Sequence, residues 1–131
     1  MVDMNKVLDI AIAKNASDIH LIPNNKPMLR IARRLDPIEG SEVLTEDDMM
    51  EVYDFLVKGN IEADEQYKQN RMLDTSYEHG GLRFRVNISH TDGVPIATLR
   101  LIKNDLPKYE DLGLPDIVRR MTYQPQGLIL V

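Results

Sequence analysis

Residues 73–103 read LDTSYEHGGLRFRVNISHTDGVPIATLRLIK, and their period decides the fold. Leu73, Thr75 and Tyr77 alternate with Asp74, Ser76 and Glu78, then Leu82, Phe84, Val86 and Ile88 alternate with Arg83, Arg85, Asn87 and Ser89. A third run, Val94 to Lys103, sets Ala97, Leu99 and Leu101 against Thr98 and Arg100. A period of two belongs to strands buried on one face only. Gly80-Gly81 and Asp92-Gly93 separate the runs, and both dipeptides suit a type I′ turn, which needs positive φ at its two central positions. The pattern predicts an antiparallel meander with one wet face.

Two-residue turns also predict the register. His79 then faces Leu82, Glu78 faces Arg83, Tyr77 faces Phe84 and Ser76 faces Arg85. Across the second turn Thr91 faces Val94, Val86 faces Leu99 and Arg85 faces Arg100. Away from the turns the pairs match in polarity, as a one-sided sheet requires. Arg83 gains an acidic partner, whereas Arg85 and Arg100 lie side by side with no acid directly opposite. Like charges so placed cost about 0.2–1 kcal/mol, so the pair suits a bound anion. The competing reading is a solvated face across which Asp74 or Glu78 leans, and a longer loop at 91–93 would undo the opposition.

Outward from the meander the texture is helical and then mixed. Met4, Val7, Leu8, Ala11 and Ile12 follow Asp3, a helix N-cap, with the helix ending near Asn15. Asp18 to Ile22, Met28 to Ala32 and Leu35 to Ile38 are short extended runs. Thr45 caps a second helix whose Glu46, Asp47 and Asp48 suit the positive end of the helix dipole. Met49, Val52, Tyr53, Leu56 and Val57 form its apolar stripe. Residues 61–71 are helix-compatible but polar, a surface helix. Beyond Lys103 come a break at 104–107, a linker-like stretch at 109–115, a short helix over 116–121 and a buried-type strand, Gly127 to Val131.

Sixteen Lys and Arg against 21 Asp and Glu leave a formal charge of −5. That balance argues against nucleic acid as a partner, because phosphate neutralisation supplies most of such affinity. Residues 82–88 interleave arginine with phenylalanine but lack the glycine and repeated aromatics of an RNA-binding strand. With no cysteine there is no disulfide framework, and three scattered histidines give no metal spacing. No apolar run approaches the roughly 20 residues of a membrane span. The first residues lack a signal-peptide pattern, so a cytosolic protein is expected. Ser17, Asp18 and His20 lie too close along one strand to form a triad, and a turn cap at Ser17 or Asp18 plus an ordinary strand histidine accounts for them. No Gly-x-x-x-x-Gly-Lys-Ser/Thr loop occurs in these 131 residues.

Taken in order, Ala16-Ser17-Asp18-Ile19-His20-Leu21, Met28-Leu29-Arg30-Ile31, Arg83-Phe84-Arg85-Val86-Asn87 and Leu99-Arg100-Leu101-Ile102 resemble the N-terminal part of the secretion and type IV pilus motor ATPases. Asp111-Leu112-Gly113-Leu114-Pro115 and Gly127-Leu128-Ile129-Leu130-Val131 extend the resemblance over nearly the whole chain. Its first motif begins 16 residues in, as in the pilus retraction (twitching-motility, PilT-type) ATPases.

The resemblance implies an α+β, PAS-like N-terminal domain over 1–108. It implies that 109–131 are the linker and truncated first strand of a RecA-like ATPase domain. It further implies a hexameric ring, with ATP and Mg2+ used by the full-length parent and none by this fragment, which lacks the Walker motifs and catalytic glutamate. Partners would be the RecA-like domains of the same and neighbouring subunits and the pilus inner-membrane machinery, in the cytoplasm at the inner face of the membrane. Arg85 and Arg100, with Arg83 beside them, fall where family arginines approach the ATP phosphates. Two departures stand out: residues 30–34 lack the usual Asp-Gly turn, which puts that turn's geometry in question, and Met72 replaces a common acid. The alternative is a stand-alone PAS-like ligand-binding or sensor module. The end strand is expected to dock or pair at high concentration and to lose structure when dilute.

Overall fold

Gly80 and Gly81 take φ of 59° and 74°, and Asp92 and Gly93 take 48° and 85°. Both turns are therefore the expected two-residue type. In the computed structural model they join β4 (Leu73–His79), β5 (Leu82–Thr91) and β6 (Val94–Ile102), with every register pair as expected, from His79↔Leu82 to Arg85↔Arg100. The structure describes residues 2–103 and 105–130. Asn104, in the expected break, and Val131, at the end of the expected strand, lie outside the described residues.

The free edge of β6 is filled from the other end of the chain. β1 (Asp18–Leu21) pairs with it antiparallel, followed outward by β2 (Met28–Ile31) and β3 (Arg34–Pro37). The six strands run in the order β3-β2-β1-β6-β5-β4. Ala32 and Arg33 close the β2–β3 hairpin at φ of 47° and 72°. A two-residue turn forms there without Asp-Gly, at a steric cost of roughly 1–2 kcal/mol for each residue in the left-handed region.

One face of this sheet carries the core: Ile19, Leu21, Leu29, Phe84, Val86, Ile88 and Leu99 are all buried. α1 (Met4–Ala13) covers it with Met4, Val7, Leu8 and Ala11, and Asp3 caps its first turn by accepting from the Lys6 N–H at 3.1 Å. His79 Nε2 meets Asp9 Oδ1 at 2.7 Å and ties the β4–β5 hairpin to this helix. α2 (Glu46–Val57) buries the whole expected stripe, Met49, Val52, Tyr53, Leu56 and Val57. α3 (Ile61–Asn70) is largely exposed, but Ala63 and Tyr67 are buried. Tyr67 packs against Tyr53 with ring centroids 4.7 Å apart and the ring planes tilted by 40°, and the Tyr53 hydroxyl donates to Asp64 at 2.6 Å.

At the start of α2 the Asp48 N–H donates to the Thr45 hydroxyl at 3.1 Å, while the Thr45 N–H donates to the Asp48 carboxylate at 2.9 Å. The Thr45 N–H, and then its hydroxyl, help hold the Asp48 carboxyl at about 2, below its ordinary 3.8. A depressed folded-state value stabilises the fold above the unfolded pKa and ceases to do so as pH falls through the folded one. Stability from Asp48 is thus complete above about pH 4 and lost toward pH 2. Denaturant unfolding at pH 5 and pH 2 should show a smaller acid loss for Asp48→Asn than for the unaltered chain. Equal losses would contradict this assignment.

Past β6 the chain forms a 3-10 turn (Tyr109–Leu112) and α4 (Asp116–Met121), linked where the Tyr109 hydroxyl donates to the Pro115 carbonyl at 2.7 Å. The expected strand at 127–131 does not form over 127–130. Among the described residues no strand pairs with this segment, and Leu128 and Leu130 are more than 80% exposed. An apolar run alone does not make a strand; a partner does. Among the described residues no helix is long and apolar enough to cross a membrane, and no group of three or more His, Asp or Glu is placed to hold a metal.

Candidate functional site

Among the described residues the helices of the core pack on the other face of the sheet, and the residues of its second face fall into cross-strand rows. One row runs Leu35, Arg30, Asp18, Arg100, Arg85, Ser76 across all six strands. The next runs Met28, His20, Thr98, Asn87, Asp74, and on the other side Ile102, Arg83 and Glu78 are aligned. Alternation places these side chains together, because residues i and i+2 of every strand share a face.

Arg85 and Arg100 are therefore neighbours on adjacent strands, with Arg83 two residues along β5 on the same face. The expectation that Arg100 has no acid directly opposite is corrected, because Asp18 sits opposite it on β1. Arg100 Nε donates to Asp18 Oδ1 at 2.9 Å, and Arg30 Nε lies 3.4 Å from Oδ2. The Ser17 hydroxyl donates to the same Oδ2 at 2.9 Å. The Asp18 side chain is only 7% exposed, whereas Arg100 is 71% exposed. Burial pushes the Asp18 carboxyl up, but the hydrogen bonds from Arg100 and Ser17 and the Arg100 charge outweigh it, and the net shift is downward. Asp18 is ionised and shared between two guanidiniums.

The other two arginines are held more loosely. Arg85 Nη2 is 3.8 Å from Asp74 Oδ1, an oxygen that also accepts from Asn87 at 3.3 Å. Arg83 Nη2 donates to Glu78 at 3.1 Å between two exposed side chains. Such exposed pairs are worth little, a median of about 0–1 kcal/mol, and yield readily to a better anion. His20 lies in the adjacent row with Nδ1 3.5 Å from the Thr98 hydroxyl and Nε2 buried without a partner among the described residues. Burial, followed by the Arg30 charge, lowers its pKa despite Asp18.

Three guanidiniums to one carboxylate leave the central row positive. It can bind, orient and neutralise an anion, and phosphate suits the forked geometry. A cavity of about 280 Å³ lies elsewhere, between the start of α1 and the 38–44 segment, and none of these arginines lines it. Asp18 and Arg30 were missed in the sequence because β1 and β6 are about 80 residues apart and no local pattern announces their pairing. The sole trace is the placement of Asp18 and His20 on one strand face.

No family model matches the chain. Among curated proteins, the type IV pilus retraction ATPase PilT of Pseudomonas aeruginosa is 29% identical over 135 residues, covering 98% of this chain and 37% of that protein. This chain is homologous to the PilT-type ATPases. The type IV pilus ATPase PilU of the same organism is 22% identical over 129 residues, covering 98% of this chain and 33% of its own length. The chain thus spans about a third of the curated relatives it matches. The crystal structure of the pilus retraction motor PilT with bound ADP superposes with a TM-score of 0.77 at 26% identity, over 95% of this chain and 36% of that one. The Legionella pneumophila ATPase DotB gives 0.74 at 26% identity, over 95% and 35%. The six-stranded α+β fold is that of the N-terminal region of PilT.

Proposed function

We propose that this chain is the N-terminal region of a hexameric, ATP-driven motor that powers type IV pilus retraction and hence twitching motility. Residues 1–108 are its PAS-like domain, and 109–131 are the linker and the start of a RecA-like ATPase domain. ATP and Mg2+ are bound by the longer protein, whose partners are the RecA-like domains of the same and adjacent subunits and the pilus machinery at the cytoplasmic face of the membrane. Arg85 and Arg100, assisted by Arg83, neutralise phosphate charge when the domains close. The observation that carries this reading is the Arg85–Arg100 neighbour pair on the sheet face away from the core, in a chain homologous to pilus ATPases. The arginines' role is electrostatic: fixed positive groups placed where charge develops, and reporting it as closure.

Calorimetry tests the assignment directly. The 131-residue chain should show no ATP hydrolysis and little affinity for Mg-ATP, while the full-length protein binds and hydrolyses it. Micromolar ATP binding by the short chain would overturn this reading in favour of a self-contained ligand-binding module. Amide hydrogen exchange on the dilute chain tests the domain division. Residues 127–130 should exchange far faster than Leu82 to Ile88, because open backbone lacks the ladder bonds that slow exchange. Equal protection would move the boundary.

A further inference from the structure

We infer that Asp18 is a positioning residue for the phosphate-facing arginines: its buried carboxylate holds Arg100 by Nε and leaves the two terminal amines of that guanidinium for an anion. The inference rests on the phosphate reading of the preceding subsection and adds to it the residue through which Arg100 acts.

An arginine on an exposed strand samples many rotamers and must be ordered before it can clamp a phosphate. Arg100 is already held at Nε, which donates to Asp18 Oδ1 at 2.9 Å. The Asp18 carboxylate that holds it is itself fixed three ways, by its place in β1 directly opposite Arg100, by the Ser17 hydroxyl at 2.9 Å and by Arg30 at 3.4 Å. The contact is made through Nε, and the terminal amines of Arg100 have no hydrogen-bond partner among the described residues. Engagement at Nε leaves the Nη1/Nη2 end of the fork as the anion-binding edge. Arg30 matters for charge. Because Asp18 is shared between two guanidiniums, it anchors Arg100 without cancelling the row's positive potential. Arg85 is different, since its acid lies 3.8 Å away and is itself half exposed. The pair therefore consists of one arm anchored on a buried acid and one arm paired loosely with an exposed acid.

The test joins kinetics in the full-length protein to a spectroscopic signature in the present chain. With Mg-ATP as substrate, Asp18→Asn should lower kcat roughly tenfold, less than the about 10²-fold that a full 1 Å misplacement of a clamp can cost. Combined with Arg100→Ala it should cause no further loss, because both changes remove one function. In the 131-residue chain, the Arg100 Nε–H signal, assigned by its absence in Arg100→Lys, should exchange with water much more slowly than that of Arg85. If the two exchange equally fast in the unaltered chain, the anchoring is absent and the inference fails, whatever the variants do. Multiplying losses in the double variant would place Asp18 outside the action of Arg100 and overturn it. Faster turnover in Asp18→Asn would make Asp18 a competing counter-ion and overturn it equally. Unchanged turnover in Asp18→Asn, with Arg100→Ala impaired, would refute the positioning role and leave the phosphate reading standing. Unchanged turnover in Arg100→Ala would remove the phosphate reading itself, and this inference with it.

Discussion

Replacing Arg85 or Arg100 by alanine in the full-length protein is expected to lower ATP turnover by roughly one to two orders of magnitude, at or just below the about 10²–10³-fold cost of losing a fully preorganised charge-stabilising donor. Both side chains are about 70% exposed and stand on the sheet face away from the core, so the fold should survive. In Arg100→Ala the buried Asp18 carboxylate keeps Arg30 and the Ser17 hydroxyl as partners, which limits the penalty of an unpaired buried charge. Arg85→Ala removes only a loose surface pair and should be nearly silent in stability. The measurement is steady-state hydrolysis beside a thermal melt, and the informative result is lost turnover at an unchanged melting temperature. Unaltered turnover in the Arg85→Ala/Arg100→Ala double variant would reduce both residues to solvated surface.

Phe84→Ala is expected to have the largest effect on stability, a loss of about 3–5 kcal/mol. Phe84 is fully buried at the middle of the meander, directly between Tyr77 on β4 and Leu101 on β6. Its ring sits on a strand paired along both edges, so the surrounding backbone is poorly able to collapse into the cavity. Against a typical net stability of about 5–15 kcal/mol for a domain, such a loss leaves a marginal fold. Denaturant unfolding should show a lower midpoint with an unchanged slope, since the area exposed on unfolding barely changes. A loss below about 1 kcal/mol would mean that the neighbours fill the space, contrary to close packing of this face.

The sequence by itself determined the parts whose physics is local. Gly80-Gly81 and Asp92-Gly93 dictate two tight turns, and a tight turn dictates the register of the strands it joins, so the Arg85–Arg100 pair is legible in the sequence. The caps at Asp3 and Thr45 and the stripe from Met49 to Val57 were legible for the same reason: their partners lie within one or two helical turns. The tertiary structure alone decided what depends on distant partners. The pairing of β1 with β6 brings Asp18 and Arg30 into the arginine row, and it turns Arg100 from an unopposed charge into an anchored one. Residues 127–130 illustrate the converse. Their apolar run is strand-like by composition, but a strand is made by the neighbour that completes its hydrogen bonds, and no local pattern records whether a neighbour is there.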